Sequence, residues 1–213
     1  MAKTINKKVV VFDFDGTIVD SMESFAQIAS KVMPKYYDID SNKAYNLYLN
    51  TSGIPFFQQL ETIFHGNPIN TTAANEFEQE KKKSYHEKKL FSDAADTLKS
   101  LKEKNVKVII SSNNFHELVE AFVSRLDIKF DMVLGYKENF SKGADHFEHI
   151  IKKTGHTKDE ITFVGDSLKD ADKANDFGVD FIAKEGIFTK NDFNKHSPQA
   201  KVISSLKELK EMF

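Results

Sequence analysis

The stretch Val9-Val10-Val11-Phe12-Asp13-Phe14-Asp15-Gly16-Thr17 decides how this chain is read. Its apolar run predicts a short buried strand, roughly Lys8 to Phe12, that ends abruptly in two carboxylates. In an extended chain the period of two puts Asp13 and Asp15 on the same side. Gly16 permits a tight turn and close backbone approach to a ligand, and Thr17 adds a hydroxyl. Two acids crowded at a strand end repel each other unless a cation or a catalytic task keeps them there. The pattern points to metal-assisted chemistry on an anionic group. A solvated acidic turn is the bland alternative, and the rest of the chain has to decide between them.

Composition narrows the field. A chain of 213 residues, 40% apolar and 12% aromatic, can bury a large core, either as one domain or as a core with a smaller insertion. A net charge of −2 gives no electrostatic footprint for nucleic acid. Of the 30 basic residues only Arg125 is an arginine, so an anion clamp must use Lys, backbone N–H groups or a metal. There is no cysteine, which excludes disulfides, thiolate nucleophiles and Cys-based metal sites. The polar segment Met1–Lys8 carries no signal-peptide apolar region, and no run approaches the ~20 apolar residues of a membrane helix. The expectation is a cytoplasmic protein without membrane or nucleic-acid partners, a monomer or weak homodimer.

After Asp20 the periodicity is helical without strands, over Ser24–Met33, Asn42–Leu49, Pro55–Phe64 and Thr71–Leu90. Past Asp93, helix and strand alternate. Strands are predicted at Val106–Ile110, Asp131–Leu134, Ile161–Val164 and Val179–Ala183, and helices near Asp93–Lys104, Phe115–Leu126, Ala144–Lys153 and Leu168–Phe177. Ser205 and Glu208 offer a capping box for a last helix, Leu206–Met212. Continuous apolar strands between helices imply a parallel sheet covered on both faces. The all-helical stretch reads as an insertion into that sheet's domain.

Ligands of such a sheet bind outside the carboxyl ends of its strands, so those ends carry the candidates. Val106–Ile110 runs into Ser111-Ser112-Asn113-Asn114, a hydroxyl and amide cluster placed directly before a helix; it fits a helix N-cap, a phosphate site, or both. Strand Asp131–Leu134 leads to Ser141-Lys142-Gly143. Strand Ile161–Val164 ends in Gly165-Asp166-Ser167-Leu168-Lys169-Asp170, where the acids also suit the first turn of a helix. The Lys81-Lys82-Lys83 run lies among glutamates and reads as a solvated helix face. Gly53-Ile54-Pro55 is the better candidate for a functional loop in the insertion.

Taken in order, DFDGT, VKVIISSN, the lysine of SKGADHF, and VGDSLKD resemble the four motifs of the haloacid dehalogenase superfamily. The likeness extends to its phosphoglycolate phosphatase and beta-phosphoglucomutase-like members with a type-1 helical cap. It implies an α/β fold: a Rossmann-like doubly wound parallel sheet core, residues 1–18 and 91–213, with an inserted α-helical cap domain, residues 19–90. It implies a magnesium-dependent phosphatase acting on a small phosphorylated metabolite. Asp13 would be the nucleophile, Asp15 the general acid and base, and Lys142 the cation that offsets carboxylate–phosphate repulsion. Gly16, Thr17, Ser112 and Asn113 would bind the phosphoryl group, with Ser111 the competing hydroxyl at the second motif. Mg²⁺ would be held by Asp13, the Asp15 backbone carbonyl and Asp166, with Asp170 acting through water or orienting the loop. The cap would close over the site and choose the leaving group. It contains no arginine, which favours sugar or polyol phosphates over carboxylated substrates. A phosphomutase or a phosphonatase on the same core, and remotely a receiver-type phosphoacceptor domain, are the alternatives.

Overall fold

The structure, a computed structural model, describes residues 7–213. Those residues form two compact units, one built from residues 7–19 and 90–213 and the other from Asp20–Lys89. The strands are β1 (Val9–Phe12), β2 (Val19–Asp20), β3 (Lys89–Leu90), β4 (Lys107–Phe115), β5 (Met132–Tyr136), β6 (Ile161–Gly165), β7 (Asp180–Lys184) and β8 (Lys201–Ile203). Six of them make one parallel sheet in the order β5-β4-β1-β6-β7-β8, while β2 and β3 pair separately where the chain leaves and re-enters the larger unit.

The register positions the chemistry. In the centre, Phe12 lies beside Ile110 of β4 on one side and Val164 of β6 on the other. The carboxyl ends of β1 and β6 are therefore nearly level with Ile110 of β4, and the polar residues that follow these positions emerge along one edge.

The helices of this unit are α5 (Ala94–Glu103), α6 (His116–Val123), α7 (Ala144–Thr154), α8 (Leu168–Phe177) and α9 (Lys190–His196), numbered after α1 (Met22–Val32), α2 (Ser41–Asn50), α3 (Phe56–Ile63) and α4 (Asn70–Ser84) of the other. Val9, Val11, Ile109, Ile161 and Phe163 face α7, α8 and α9 and pack on Phe147, Ile150, Ala171, Ala174 and Phe193. Their neighbours Val10, Phe12, Val108, Ile110 and Val164 are equally buried and point the other way, to the side of α5 and α6. Burial on both faces is why these strands are continuous apolar runs rather than alternating ones. Each large side chain so buried is worth about 1.5–3 kcal/mol.

Several predicted bounds move. The strand expected to stop at Ile110 continues to Phe115, with its register to β5 shifted between Ser111 and Phe115. Ser111–Asn114 is therefore extended, bulged strand and not a helix cap; α6 starts only at His116, with Phe115 at its N-cap. The helix expected through Leu90 ends at Ser84, followed by a 3-10 turn and β3. β8 and α9 were not predicted; both are short and lie in a charged, low-contrast stretch. The closing turn Leu206–Glu211 is 3-10, and its capping box between Ser205 and Glu208 is present.

In the unit Asp20–Lys89, Phe25 stacks on Tyr85, and Phe56 stacks on Phe77 at 4.0 Å. Lys81 departs from the solvated face expected for it. It is only 8% exposed, with its ammonium 2.5 Å from Glu78 Oε2 and over the rings of Phe25 and Phe77. Lys82 and Lys83 are exposed.

Candidate active site

β1 stops at Phe12 because the backbone turns, but Asp13 N still donates to Val164 O at 2.8 Å, which anchors the loop to β6. Gly16, at φ 87°, makes the turn, and its N–H closes it on Val19 O at 2.8 Å. Thr17 is thereby folded back: its hydroxyl lies 3.0 Å from Asp166 Oδ1 and 3.2 Å from Asp13 Oδ2.

Lys142 reaches the same place from the loop before α7. Its ammonium is 2.8 Å from Asp13 Oδ1 and 2.6 Å from Asp170 Oδ1. Gly143 follows at φ 122° and ψ −133°, a conformation essentially reserved for glycine, and it swings the chain from Lys142 into the helix. The stem of Lys173 from α8 lies 3.4 Å from where a Cβ at Gly143 would sit. Asp170 is fixed from its other oxygen by Ser167, whose hydroxyl caps α8 by accepting from Asp170 N.

Asp13, Asp166, Asp170 and Lys142 are all at most 5% exposed. Burial, the largest influence, pushes the Asp13 carboxyl up to about 6, with Asp170 and Asp15 adding repulsion and Lys142 opposing it. Asp166 is raised well above the carboxylate range by burial and by Asp13 and Asp170. Burial alone would lower the Lys142 pKa, but Asp13 and Asp170 outweigh it and raise it. Lys173 is brought down to about 8 by burial and by Lys142. One oxygen from each of Asp13, Asp166 and Asp170 lies within 4.8 Å of the others. Three gathered, buried carboxylates held apart from water are the donor set a hard divalent cation prefers, so the residues present fit Mg²⁺.

At the second strand end the two serines have different partners. Ser111 Oγ is 2.8 Å from His146 Nδ1 of α7, fully buried. Ser112 Oγ accepts from Asn114 N at 3.0 Å and keeps its own proton to donate. Asn113 is half-buried on the same bulge. Asn114 Nδ2 lies 3.3 Å from Asp15 Oδ2, so the two acids of the first motif have different neighbours.

Asn114 and Ser167 were read only as members of the polar clusters at their strand ends, and Lys184 and His146 escaped the sequence reading. Of the latter two only Lys184 left a signal there, as a charge directly after the apolar Phe181-Ile182-Ala183.

The pattern of the haloacid dehalogenase-like hydrolases matches residues 10–184, which span the loop, Lys142 and the acids of β6 and α8. The chain belongs to that family. A phosphoglycolate phosphatase from Synechococcus elongatus is 23% identical over 187 residues, covering 83% of this chain and 82% of the relative. Among solved structures, a protein from Bacteroides fragilis described as a haloacid dehalogenase-like hydrolase superposes with a TM-score of 0.83 at 23% identity, covering 95% of this chain and 99% of the other. A haloacid dehalogenase-like family hydrolase from Streptococcus pneumoniae does so at 0.80 and 19%, covering 98% and 99%. These likenesses establish a shared fold. No helix among the described residues is long and apolar enough to cross a membrane.

Proposed function

We infer that this haloacid dehalogenase-type phosphatase is magnesium-dependent and hydrolyses a small phosphorylated metabolite, a sugar or polyol phosphate, through an aspartyl-phosphate on Asp13. The observation that carries the reading is the clamp on Asp13: Lys142 on Oδ1 and Thr17 near Oδ2 fix the carboxylate's orientation in a buried site.

An Asp13 oxygen attacks phosphorus, and the P–O bond to the leaving group breaks. Asp15 gives its proton to the departing alkoxide. Asp15 then takes a proton from the water that attacks the phosphorus of the intermediate, which restores the Asp13 carboxylate and releases phosphate. Ser112, the amides of the bulge and Lys142 bind the phosphoryl oxygens and offset their charge. Mg²⁺ would be held by Asp13, the Asp15 carbonyl and Asp166, with Asp170 beside them, and when bound supplies the positive charge these carboxylates lack. The helical unit Asp20–Lys89 is proposed as the cap that selects the leaving group.

The test is phosphate release from a panel of sugar, polyol and nucleotide phosphates, with Mg²⁺ and with EDTA. Asp13→Asn should retain the fold and lose release almost completely, because it removes nucleophile and metal ligand together. Asp15→Asn should hurt alkyl phosphates more than p-nitrophenyl phosphate, which needs no protonation to leave. Substantial turnover by Asp13→Asn, its mass verified, refutes the mechanism.

A further inference from the structure

We propose that Lys184 is a positioning residue for the nucleophile loop: its buried ammonium pins the carbonyl of Gly16 and so holds Thr17 against Asp13 and Asp166. β7 runs beside β6 with Ala183 opposite Gly165, so the next residue, Lys184, stands at the level of Asp166 on the same edge of the sheet. Its side chain is 5% exposed. The ammonium donates to Gly16 O at 3.1 Å, approaches Glu185 O at 3.5 Å, and lies 3.8 Å from the centroid of the Phe91 ring.

A methionine would fill this volume with no desolvation cost, whereas a buried ammonium is expensive unless something in the site uses its charge. One use is visible. The Gly16 carbonyl belongs to the turn whose N–H groups close on Val19 and Phe14 carbonyls, so a donor on it fixes the turn from outside. Phe91 accepts the ammonium on its ring and is itself tied to the loop, its N–H donating to Ile18 O at 3.0 Å. Loop, re-entry strand and β7 thus meet at one cation.

The activity arm of the test rests on the phosphatase reading above; a second arm does not. The chain has no cysteine, so Lys184→Cys can be alkylated at that position alone. Bromoethylamine, applied to the unfolded protein before refolding, rebuilds a lysine-like ammonium; iodoethane installs an apolar S-ethyl group of similar length with no donor. We expect the S-ethyl adduct to lose kcat by about tenfold or more with KM changed much less, and the aminoethyl adduct to regain most of it. Lys184→Met should behave like the S-ethyl adduct. Independently of turnover, hydrogen exchange at Gly16, Ile18 and Val19 should accelerate by about tenfold in Lys184→Met while Thr162–Val164 of β6 keep their protection. Equal kcat in both adducts, or unchanged loop exchange, overturns the assignment. A wild-type protein that releases no phosphate would overturn the proposed function instead, and the exchange comparison would still decide the role of Lys184.

Discussion

At the scale of single residues, the site stores charge that the fold alone does not want. Asp13 is raised by burial and by the charges of Asp170 and Asp15, and Asp166 by burial and by the charges of Asp13 and Asp170. Asp166→Asn should therefore stabilise the metal-free protein, by on the order of 1 kcal/mol, seen as a higher melting temperature in EDTA. Added Mg²⁺ should raise the melting temperature of the wild type and leave the variant nearly unmoved, since only a state that binds the ion is stabilised by it. A variant that melts lower in EDTA would show the carboxylate to be structural. His146 makes a separate prediction. Burial first, then Lys142, lowers its pKa from 6.5 to about 3, so the folded protein keeps it neutral where the unfolded chain protonates it. The unfolded state binds more protons between those values, so this contribution is fully present above pH 6.5 and is lost as pH falls, by about 2 kcal/mol at pH 5. Urea melts of the wild type and His146→Gln at pH 7 and pH 5 isolate it, because the opposing shifts of Asp13 and Asp166 are common to both proteins. An acid-induced loss of the same size in the variant would contradict the assignment.

At the scale of elements, the bulged end of β4 does the most for its length. The motif string in Ser111–Asn114 was legible as a hydroxyl cluster at a strand end, but not as strand. Ser and Asn are poor strand formers and good helix caps, and only pairing with β5 overrides that preference. The resemblance favours Ser112 for the site, but the local pattern does not show why, since period-two alternation sends one serine to each face and the partner of Ser111, His146, is 35 residues away. The two serines should separate cleanly. Ser112→Ala should raise KM or lower kcat with little change in stability. Ser111→Ala should cost about 1–3 kcal/mol of stability by stranding a buried imidazole nitrogen, with a smaller effect on turnover. Gly135 of β5 buttresses the same bulge: a Cβ there would stand 2.5 Å from His116 Cα and 2.8 Å from Asn114 O, both backbone. Gly135→Ala must therefore push β4 away, at a cost of about 1–3 kcal/mol, and draw Asn114 from Asp15. Wild-type stability and turnover in that variant would mean the bulge is free to yield.

At the scale of the whole molecule, the doubly wound sheet was legible because four strands buried on both faces leave nearly unbroken apolar runs, each followed by polar residues that a sheet edge collects. The insertion was legible only as helices; its aromatic packing and the burial of Lys81 had no counterpart in the local pattern. As the proposed cap, the same unit bears on the choice of substrate. It holds no arginine, and the buried Lys81 is already committed to Glu78 and two rings. A carboxylate on the leaving group is best gripped by a bidentate guanidinium, whereas hydroxyl-rich leaving groups need only neutral hydrogen bonds and shape. The curated relative from Synechococcus elongatus is a phosphoglycolate phosphatase, but at 23% identity the residues that choose a substrate are free to differ. We therefore expect kcat/KM for sugar or polyol phosphates to exceed that for phosphoglycolate by about tenfold or more, the worth of one well-made charged hydrogen-bond pair. The comparison should be run at matched Mg²⁺ and at two salt concentrations, because a substrate held by exposed lysines would lose affinity as salt rises and one held by neutral groups would not. Phosphoglycolate as the best substrate, with a steep salt dependence, would mean that lysines alone can do the work of the missing arginine.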